Sequence, residues 1–361
     1  MRPFSYRVNS QRIPIFIDET HESLLSHLKA VQRGGVVIDS RVAKAHLDLR
    51  NHIEQMDKMS VSLFEAKEEN KNLEQLSILL TSLLKKNIER DQILFAIGGG
   101  VTGDIVGFAA AIYKRGINYI QVPTTLLSMV DSSIGGKVGV NHPLGKNMIG
   151  AFHQPIAVLI SLKFLDTLPD RELICGMGEI AKYAILRGDQ FFDYFQSHTT
   201  QVFERSKPLL MKIIKTSIDT KKRYIERDVY ENGVRAHLNL GHTIGHAIET
   251  ATGYSVFKHG EAVLLGILAE AHIAMRMKLL KASAFEKILK LVRQLMNESN
   301  ASVKLDDTIH LVLYDKKAKG GRVRFVLPTS IGNVTIRDDI TPRNISDAMK
   351  FVASENLFVL S

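Results

Sequence analysis

Gln92-Ile-Leu-Phe-Ala-Ile97 runs directly into Gly98-Gly-Gly-Val-Thr-Gly-Asp104, and the apolar stretch from Ile105 to Tyr113 follows. The first segment reads as a buried strand, the last as a helix, and Gly98, Gly100 and Gly103 match G-x-G-x-x-G between them. At such a turn the missing side chains let a pyrophosphate approach backbone N–H groups, and the helix N-terminus favours its charge. Two features depart from the usual dinucleotide order. The match lies almost a hundred residues into the chain, and no acid closes the next strand, Tyr119-Ile-Gln-Val122. The expectation is a nucleotide phosphate site outside the ordinary dinucleotide topology.

Upstream, Gly34-Gly-Val-Val-Ile-Asp39 reads as a short buried strand ending in an acid, followed by one helix to about His52. Such an acid can accept hydrogen bonds from a ribose or can cap the helix; the sequence leaves both open. Met59 to Phe64 is a further strand, and Asn72 to Asn87 an amphipathic helix with Leu at 73, 76, 80, 83 and 84. Alternating strands and helices imply a parallel α/β sheet. Tyr6-Arg-Val8 and Ile13 to Asp18 form a peripheral strand pair. Downstream, Pro123 to Asn147 is polar and glycine-rich, and is expected to be a long loop lining a site, with Lys137, Lys146 and Asn147 presented from tight turns.

Ala157-Val-Leu-Ile160 is another strand, and from Leu168 the texture changes to helix after helix. Gly178 to Ile185 places Glu179 and Lys182 on one helical face among small apolar neighbours, where both need partners. Met211 to Tyr224 carries Lys221, Val263 to Met277 and Ala284 to Met296 continue the pattern, and one late strand begins at Val323. The expected organisation is a Rossmann-like parallel-sheet domain over residues 1–165 and a mainly helical domain over 166–361.

In the second half, His242 and His246 stand one helical turn apart and His259 precedes an apolar helix, which makes a metal corner. Two histidines at this spacing also occur on helix surfaces, and no H-E-x-x-H supports a metalloprotease. Arg235, Asn239 and Lys258 in the same segment suit an anionic, polyhydroxylated ligand.

The 361 residues are 45% hydrophobic and 24% charged, as in ordinary globular proteins. The N-terminus lacks a signal-like apolar core, and no uncharged apolar run of about 18 residues occurs, so secretion and membrane spanning are not expected. Cys175 is the only cysteine, which excludes an internal disulfide and fits the cytoplasm. The formal charge of +9 is spread along the chain, with 7% aromatics and no Trp. That pattern favours small phosphorylated or carboxylated substrates over nucleic acid.

Taken together, several motifs resemble the 3-dehydroquinate synthase family of sugar phosphate cyclases: Gly98 to Phe108, Tyr113-Lys-Arg-Gly116, Gln121 to Leu127, Val130 to Lys137, Gly145-Lys-Asn147, Thr167 to Glu172, Gly178 to Lys182, Leu238 to Glu249 and His259 to Val263. The similarity runs from about residue 35 to 330. It implies an NAD-binding α/β domain and a helical metal-binding domain, with zinc or cobalt held by Glu179, His242 and His259. His246 then becomes a substrate-side residue, which corrects the first pairing. It implies NAD at Asp39, Glu68, Lys71, Gly98, Gly99, Gly100, Val101, Thr102, Gly103, Asp104, Thr124, Thr125, Lys137, Lys146, Phe164, Leu165, Asp166 and Thr167. Catalytic roles fall to Lys137, Lys182, Lys221, Arg235, Asn239 and His246. Substrate binding falls to Asp131, Arg115, Lys146, Asn147, Lys316 and Lys317, with Arg115 reaching a neighbouring subunit of a homodimer.

The family's reaction explains these residue types. A seven-carbon keto acid phosphate, DAHP, is oxidised at C5 by NAD, loses phosphate, is reduced again, opens, and closes by an aldol step. Oxidation at C5 acidifies the C6 proton, which the departing phosphate can take, while Lys and Arg hold that phosphate. Three departures from the family pattern stand out: Lys67 replaces a usual Gly before Glu68, Ser161 replaces a frequent Asp, with loss of a turn contact expected, and Ile244 replaces a frequent Phe, a change of volume only. The rival readings are another sugar phosphate cyclase, an NAD- and metal-dependent polyol dehydrogenase, and a basic nucleic-acid-binding protein.

Overall fold

A computed structural model describes residues 4–318 and 323–361, with side chains outside 314–318. It divides into two compact units, one of Met1–Glu172 with Arg205–Ile218 and one of Leu173–Glu204 with Asp219–Ser361. In chain order the first stretch contains β1 (Phe4–Val8), β2 (Gln11–Asp18), α1 (Glu22–Ala30), β3 (Gly34–Asp39), α2 (Ser40–Ala45), α3 (Leu47–Glu54), β4 (Met59–Phe64), α4 (Leu73–Lys85), β5 (Ile93–Gly98), α5 (Gly100–Ile112), β6 (Asn118–Pro123), β7 (Lys137–His142), β8 (Gly145–Phe152) and β9 (Ala157–Ser161). Then follow α6 (Asp170–Arg187), α7 (Asp189–Ser197), α8 (Thr199–Phe203), α9 (Lys207–Ile225), α10 (His242–Ala251), α11 (His259–Arg276), α12 (Ala282–Leu295), β10 (Ser302–Val303), α13 (Leu305–Ala318), β11 (Phe325–Ser330), β12 (Asn333–Arg337), α14 (Pro342–Ser354) and β13 (Val359–Leu360). The return of the chain through 205–218 has no signature in composition, because α9 crosses residue 218 as one continuous helix.

The first unit is built on a seven-stranded sheet in the order β1-β2-β9-β6-β5-β3-β4, parallel except for the β1–β2 hairpin at its edge. All six residues of β3 are buried, as expected where helices cover both faces of a parallel sheet. From β3 the chain moves to β4 on one side and later to β5 on the other, so the strand order reverses between β3 and β5. Ligands of open α/β sheets bind beyond the carboxyl ends of the strands at such a reversal. The register pairs Ile38 with Ile97 and Gly98 with Pro123. Asp39, the glycine turn and Thr124 therefore leave neighbouring strands at the same edge.

Three local expectations are revised. The helix after β3 is broken at His46, whose backbone (φ −123, ψ 62) is not helical. No Gly or Pro announces the break; the His46 ring packs on Phe164 at 5.0 Å and its Nε2 lies 2.8 Å from Thr167 Oγ1, so tertiary contacts override the helical pattern. The passage from Pro123 to Asn147 is not a loop. It holds a π-helical turn at Ser128–Ser132 and then the β7–β8 hairpin, whose many glycines concealed its strand alternation. Helix α5 starts at Gly100, five residues earlier than read, which turns Gly100 to Asp104 into its first turn.

Ser161 also behaves otherwise than expected. Its hydroxyl donates to the Thr20 carbonyl and lies 2.9 Å from His21 Nδ1, so a turn contact is kept. His21 is buried against Phe164 (4.4 Å between ring centroids), and burial lowers it from 6.5 to about 4, with nearby His46 adding to the effect. Between pH 6.5 and 4 the unfolded chain therefore binds a proton that the folded chain refuses, and stability falls as pH falls through this window by at most about 3 kcal/mol. Denaturant titrations of the wild type and of His21→Asn should show this loss shrinking in the variant between pH 7 and 4.5. Parallel pH dependences would disprove the assignment.

In the second unit α10 packs along α11, with α12, α13 and α14 around them. Two short strand pairs, β10–β13 and β11–β12, accompany the helices; the late strand expected from Val323 is β11, and its antiparallel partner β12 had no distinct sequence signal. Two glycine contacts bring helix backbones together. A Cβ on Gly178 of α6 would lie 2.2 Å from the Gly260 carbonyl oxygen, and one on Gly266 of α11 would lie 1.9 Å from that of Gly241.

Candidate active site

These helix contacts place the chemistry of the second unit. Gly178 against Gly260 sets their chain neighbours Glu179 and His259 side by side, while Gly266 against Gly241 brings the start of α10, and so His242, to the same point. Glu179 Oε1 lies 3.4 Å from His242 Nε2 and 3.3 Å from His259 Nε2, and the carboxylate is fully buried. Tetrahedral ligands at about 2.0–2.1 Å from a zinc ion stand about 3.3–3.4 Å from one another, so this donor set fits a small divalent cation. His242 Nδ1 is 3.1 Å from the Leu240 carbonyl and His259 Nδ1 is 3.2 Å from Glu249 Oε2. Each Nδ1–H thus has an acceptor, which leaves both Nε2 lone pairs aimed at the cation position.

Lys182 pairs with Glu179 Oε2 one turn along α6 and is 2% exposed. Burial opposes ionisation of Glu179, but the Lys182 ammonium and His242 together hold it well below the usual carboxylate range. Lys221 and Arg235 are buried as well. The Arg235 backbone N–H donates to Asp228 Oδ2 at 3.0 Å and its guanidinium to the Val229 carbonyl. Asn239 donates to Glu231 Oε1 at 2.8 Å. His246 is exposed, with its ring 5.3 Å from that of His242 and 5.8 Å from that of His259. His246 and Glu249 also form a donor group with His259, but the triad with Glu179, whose carboxylate is fully buried while His246 is exposed, is the better cation holder. Glu249 was missed in the sequence. Its position three residues after His246, on the apolar face of α10, was the available signal.

In the first unit the glycine turn opens α5 with no side-chain cap at Gly99, so the first N–H groups of that helix remain available to an anion. Thr124 N donates to the Gly98 carbonyl at 3.0 Å, and Thr125 packs against Gly99. The nearly buried Lys71 reaches both Asp104 Oδ2 and Asn147 Oδ1 at 2.5 Å. Burial raises Asp104, with Lys71 opposing; Glu68 and Asp131 are close enough to add to the rise. Asn141, not singled out in the sequence, donates to Glu68 Oε1 at 2.8 Å and accepts from Asn147 N at 2.9 Å. Glu68, Lys71, Asp104, Asp131 and Asn147 therefore belong to one polar cluster. Lys67 pairs instead with Glu65 at 2.7 Å and leaves Glu68 to Asn141.

Asp39 caps α2 by accepting from Arg41 N at 2.9 Å, and its other oxygen lies 3.2 Å from the Arg41 guanidinium. The cap reading therefore holds, at a strand end suited to a ribose. Phe164 to Thr167 lie in a 3-10 turn where Phe164 packs on His21 and His46, and Asp166 pairs with Lys207. Lys137 begins β7 and Lys146 lies on β8. Arg115 does not join this set: it follows the far end of α5, about 20 Å from the glycine turn by helix rise. The side chains of Lys316 and Lys317 lie outside the described residues.

Family models give the same reading over most of the chain. The model of the 3-dehydroquinate synthase N-terminal domain matches residues 61–175, and that of the C-terminal domain matches residues 176–318. The chain belongs to the 3-dehydroquinate synthase family. A 3-dehydroquinate synthase of Acidithiobacillus ferrooxidans is 46% identical over 318 residues, 87% of either chain. Among solved structures, 2-epi-5-epi-valiolone synthase from Streptomyces hygroscopicus subsp. jinggangensis 5008, with NAD+ and Zn2+ bound, superposes with a TM-score of 0.87 at 25% identity, covering 97% of this chain and all of that one. A 2-deoxy-scyllo-inosose synthase complexed with carbaglucose-6-phosphate, NAD+ and Co2+ shares the fold at a TM-score of 0.83 and 24% identity, covering 97% of this chain and 99% of that one. Identity to the 3-dehydroquinate synthase is thus well above identity to these two cyclases of other carbocycles.

Proposed function

We propose that this chain converts DAHP to 3-dehydroquinate and phosphate, in the shikimate route to aromatic amino acids, with NAD and a divalent cation, zinc or cobalt, as cofactors. The observation that carries the reading is the convergence of His242 and His259 on the buried carboxylate of Glu179, in a chain whose other unit presents an uncapped glycine turn at a sheet reversal. NAD supplies a hydride acceptor that is restored in each turnover, and the cation supplies a Lewis acid for the substrate hydroxyls.

The chain's own residues bind and orient. The glycine turn with Thr124 and Thr125 cradles the pyrophosphate of NAD, Asp39 faces its ribose, and Glu68, Lys71 and Asp104 position the remainder. Glu179, His242 and His259 hold the cation. Lys146, Asn147 and His246 are assigned to the substrate phosphate, with Arg115 directed to that of a neighbouring subunit in a homodimer. Held by cations and an amide, the phosphate is itself the base for the C6 proton, so the protein needs to fix its place and charge. Lys137, Lys182, Lys221, Arg235 and Asn239 are assigned to the substrate carboxylate and hydroxyls, Asp131 is assigned to substrate binding, and the cytoplasm is the proposed compartment.

Phosphate release from DAHP, followed with and without a chelator, tests the proposal. The expected result is loss of turnover on chelation, recovery on adding Zn2+ or Co2+, and no net NADH. Accumulation of NADH in step with turnover would instead identify a polyol dehydrogenase. Preference for sedoheptulose 7-phosphate over DAHP would identify a different cyclase.

A further inference from the structure

Helix α10 begins on a metal ligand and has no cap of its own. Its N-cap residue is Gly241, in the left-handed conformation at φ 81, so no side chain there can accept the N–H groups of the first turn. Helix α11, which also begins on a metal ligand, is capped from within: Glu261 Oε2 accepts from Lys258 N at 2.8 Å. For α10 the acceptor comes from its neighbour. Glu270 of α11, without solvent exposure, accepts from Gly241 N at 2.6 Å through Oε2, and the backbone N–H groups of Ile244 and Thr243 act electrostatically on the same carboxyl. Thr243 and Ile244 are the second and third residues of the helix, whose N–H groups an ordinary N-cap side chain would take. Glu270 Oε1 has no hydrogen-bond partner among the described residues. A carboxyl placed where it cannot reach water, and given no role by the chemistry above, is costly to keep unless the capping itself matters.

We propose that Glu270 is a positioning residue for the cation site: it caps α10 from α11 and thereby fixes the turn on which His242 presents Nε2 to Glu179 and His259. The Gly241 N–H it holds immediately precedes His242, whose Nδ1 is oriented by the Leu240 carbonyl. Loss of the cap frees the backbone on both sides of that imidazole. A glutamine has the same length and keeps an acceptor oxygen that can take the Gly241 N–H in the same way.

The inference rests on Glu179, His242 and His259 holding the cation, and the test keeps the two apart. Zn2+ affinity of the metal-stripped full-length protein is measured by competition with a chromophoric chelator, and the visible spectrum of the Co2+ form reports ligand geometry. Glu270→Ala, and Glu270→Asp with its carboxyl one methylene short of Gly241 N, should bind Zn2+ roughly 10- to 100-fold more weakly and shift the Co2+ bands, whereas Glu270→Gln retains wild-type affinity and spectrum. Glu270→Ala or Glu270→Asp that is folded by circular dichroism and keeps both wild-type readouts overturns the proposal, even if it melts earlier. Where Glu270→Ala does not fold, the Asp and Gln variants decide in the same way. A Glu270→Gln protein as weak as Glu270→Asp overturns the acceptor role. A wild-type protein with no Zn2+ or Co2+ site sinks the metal reading itself.

Discussion

Replacing Glu179 by Gln should abolish phosphate release from DAHP, by a factor on the order of 10^3 or more, and should leave the purified protein without its stoichiometric metal. The amide keeps the shape of the side chain but removes the only anionic ligand of the triad, and an amide oxygen is a poor ligand for a zinc-like ion beside two imidazoles. Loss of Lewis acidity alone is worth several kcal/mol at the transition state, which is the stated factor or more. The substitution also takes away the carboxylate that the 2%-exposed Lys182 faces. Removing one partner of a buried ion pair costs about 3–5 kcal/mol, so a lower denaturation midpoint should accompany the loss of metal. Metal analysis after gel filtration, a phosphate-release assay and a denaturant titration measure the three effects. A variant that retains one metal per chain and works within tenfold of the wild type would remove Glu179 from the site.

Gly266→Ala is the second large effect. Its Cβ would lie 1.9 Å from Gly241 O, 2.8 Å from Gly241 C and 2.9 Å from Gly245 N, all of them backbone atoms of the neighbouring helix region. No rotamer change relieves such a clash, so α10 and α11 must move apart by about 1 Å or more, and overpacking of this kind costs about 3 kcal/mol or more. Because His242 and His259 open these two helices, the separation also widens the triad, and Zn2+ affinity should fall by at least roughly tenfold. Gly253→Ala is the control, although Gly266 itself has no positive φ and so only packing is at stake there. Gly253 has a positive φ (61°), but a Cβ there meets nothing within 4 Å, so the change should cost about 1–2 kcal/mol of backbone strain and leave metal binding unchanged. Equal metal affinities for Gly266→Ala and wild type would show that helix spacing does not set the triad.

Much of this molecule is legible in local pattern. Strand-glycine-helix punctuation from Gln92 to Tyr113 places a glycine turn at a helix start, and the alternation around it implies a parallel sheet, because both signals reside in neighbouring residues. Glu179, His242 and His259 are separated by up to 80 positions, and spacing alone suggested His242 with His246 instead; the motif resemblance named the triad, and the helix contacts at Gly178 and Gly266 explain why those three meet. The β7–β8 hairpin was hidden because Gly139 and Gly150 serve close backbone approach and so replace the apolar residues that would have marked alternation. The break at His46 was hidden because its cause, Phe164 and Thr167, lies more than a hundred residues away.

The sequence by itself determined the class of fold, the position of the glycine turn and the residue types available for chemistry, since these depend on periodicity, on glycine's lack of a Cβ and on charge. Only the tertiary structure decided that Asp39 and the glycine turn share one sheet edge, because β3 lies beside β5 although β4 separates them along the chain. It alone also decided that a carboxyl from α11 caps α10, because a helix end satisfies its N–H groups with whatever acceptor packing brings to it, and packing is not written in any one segment.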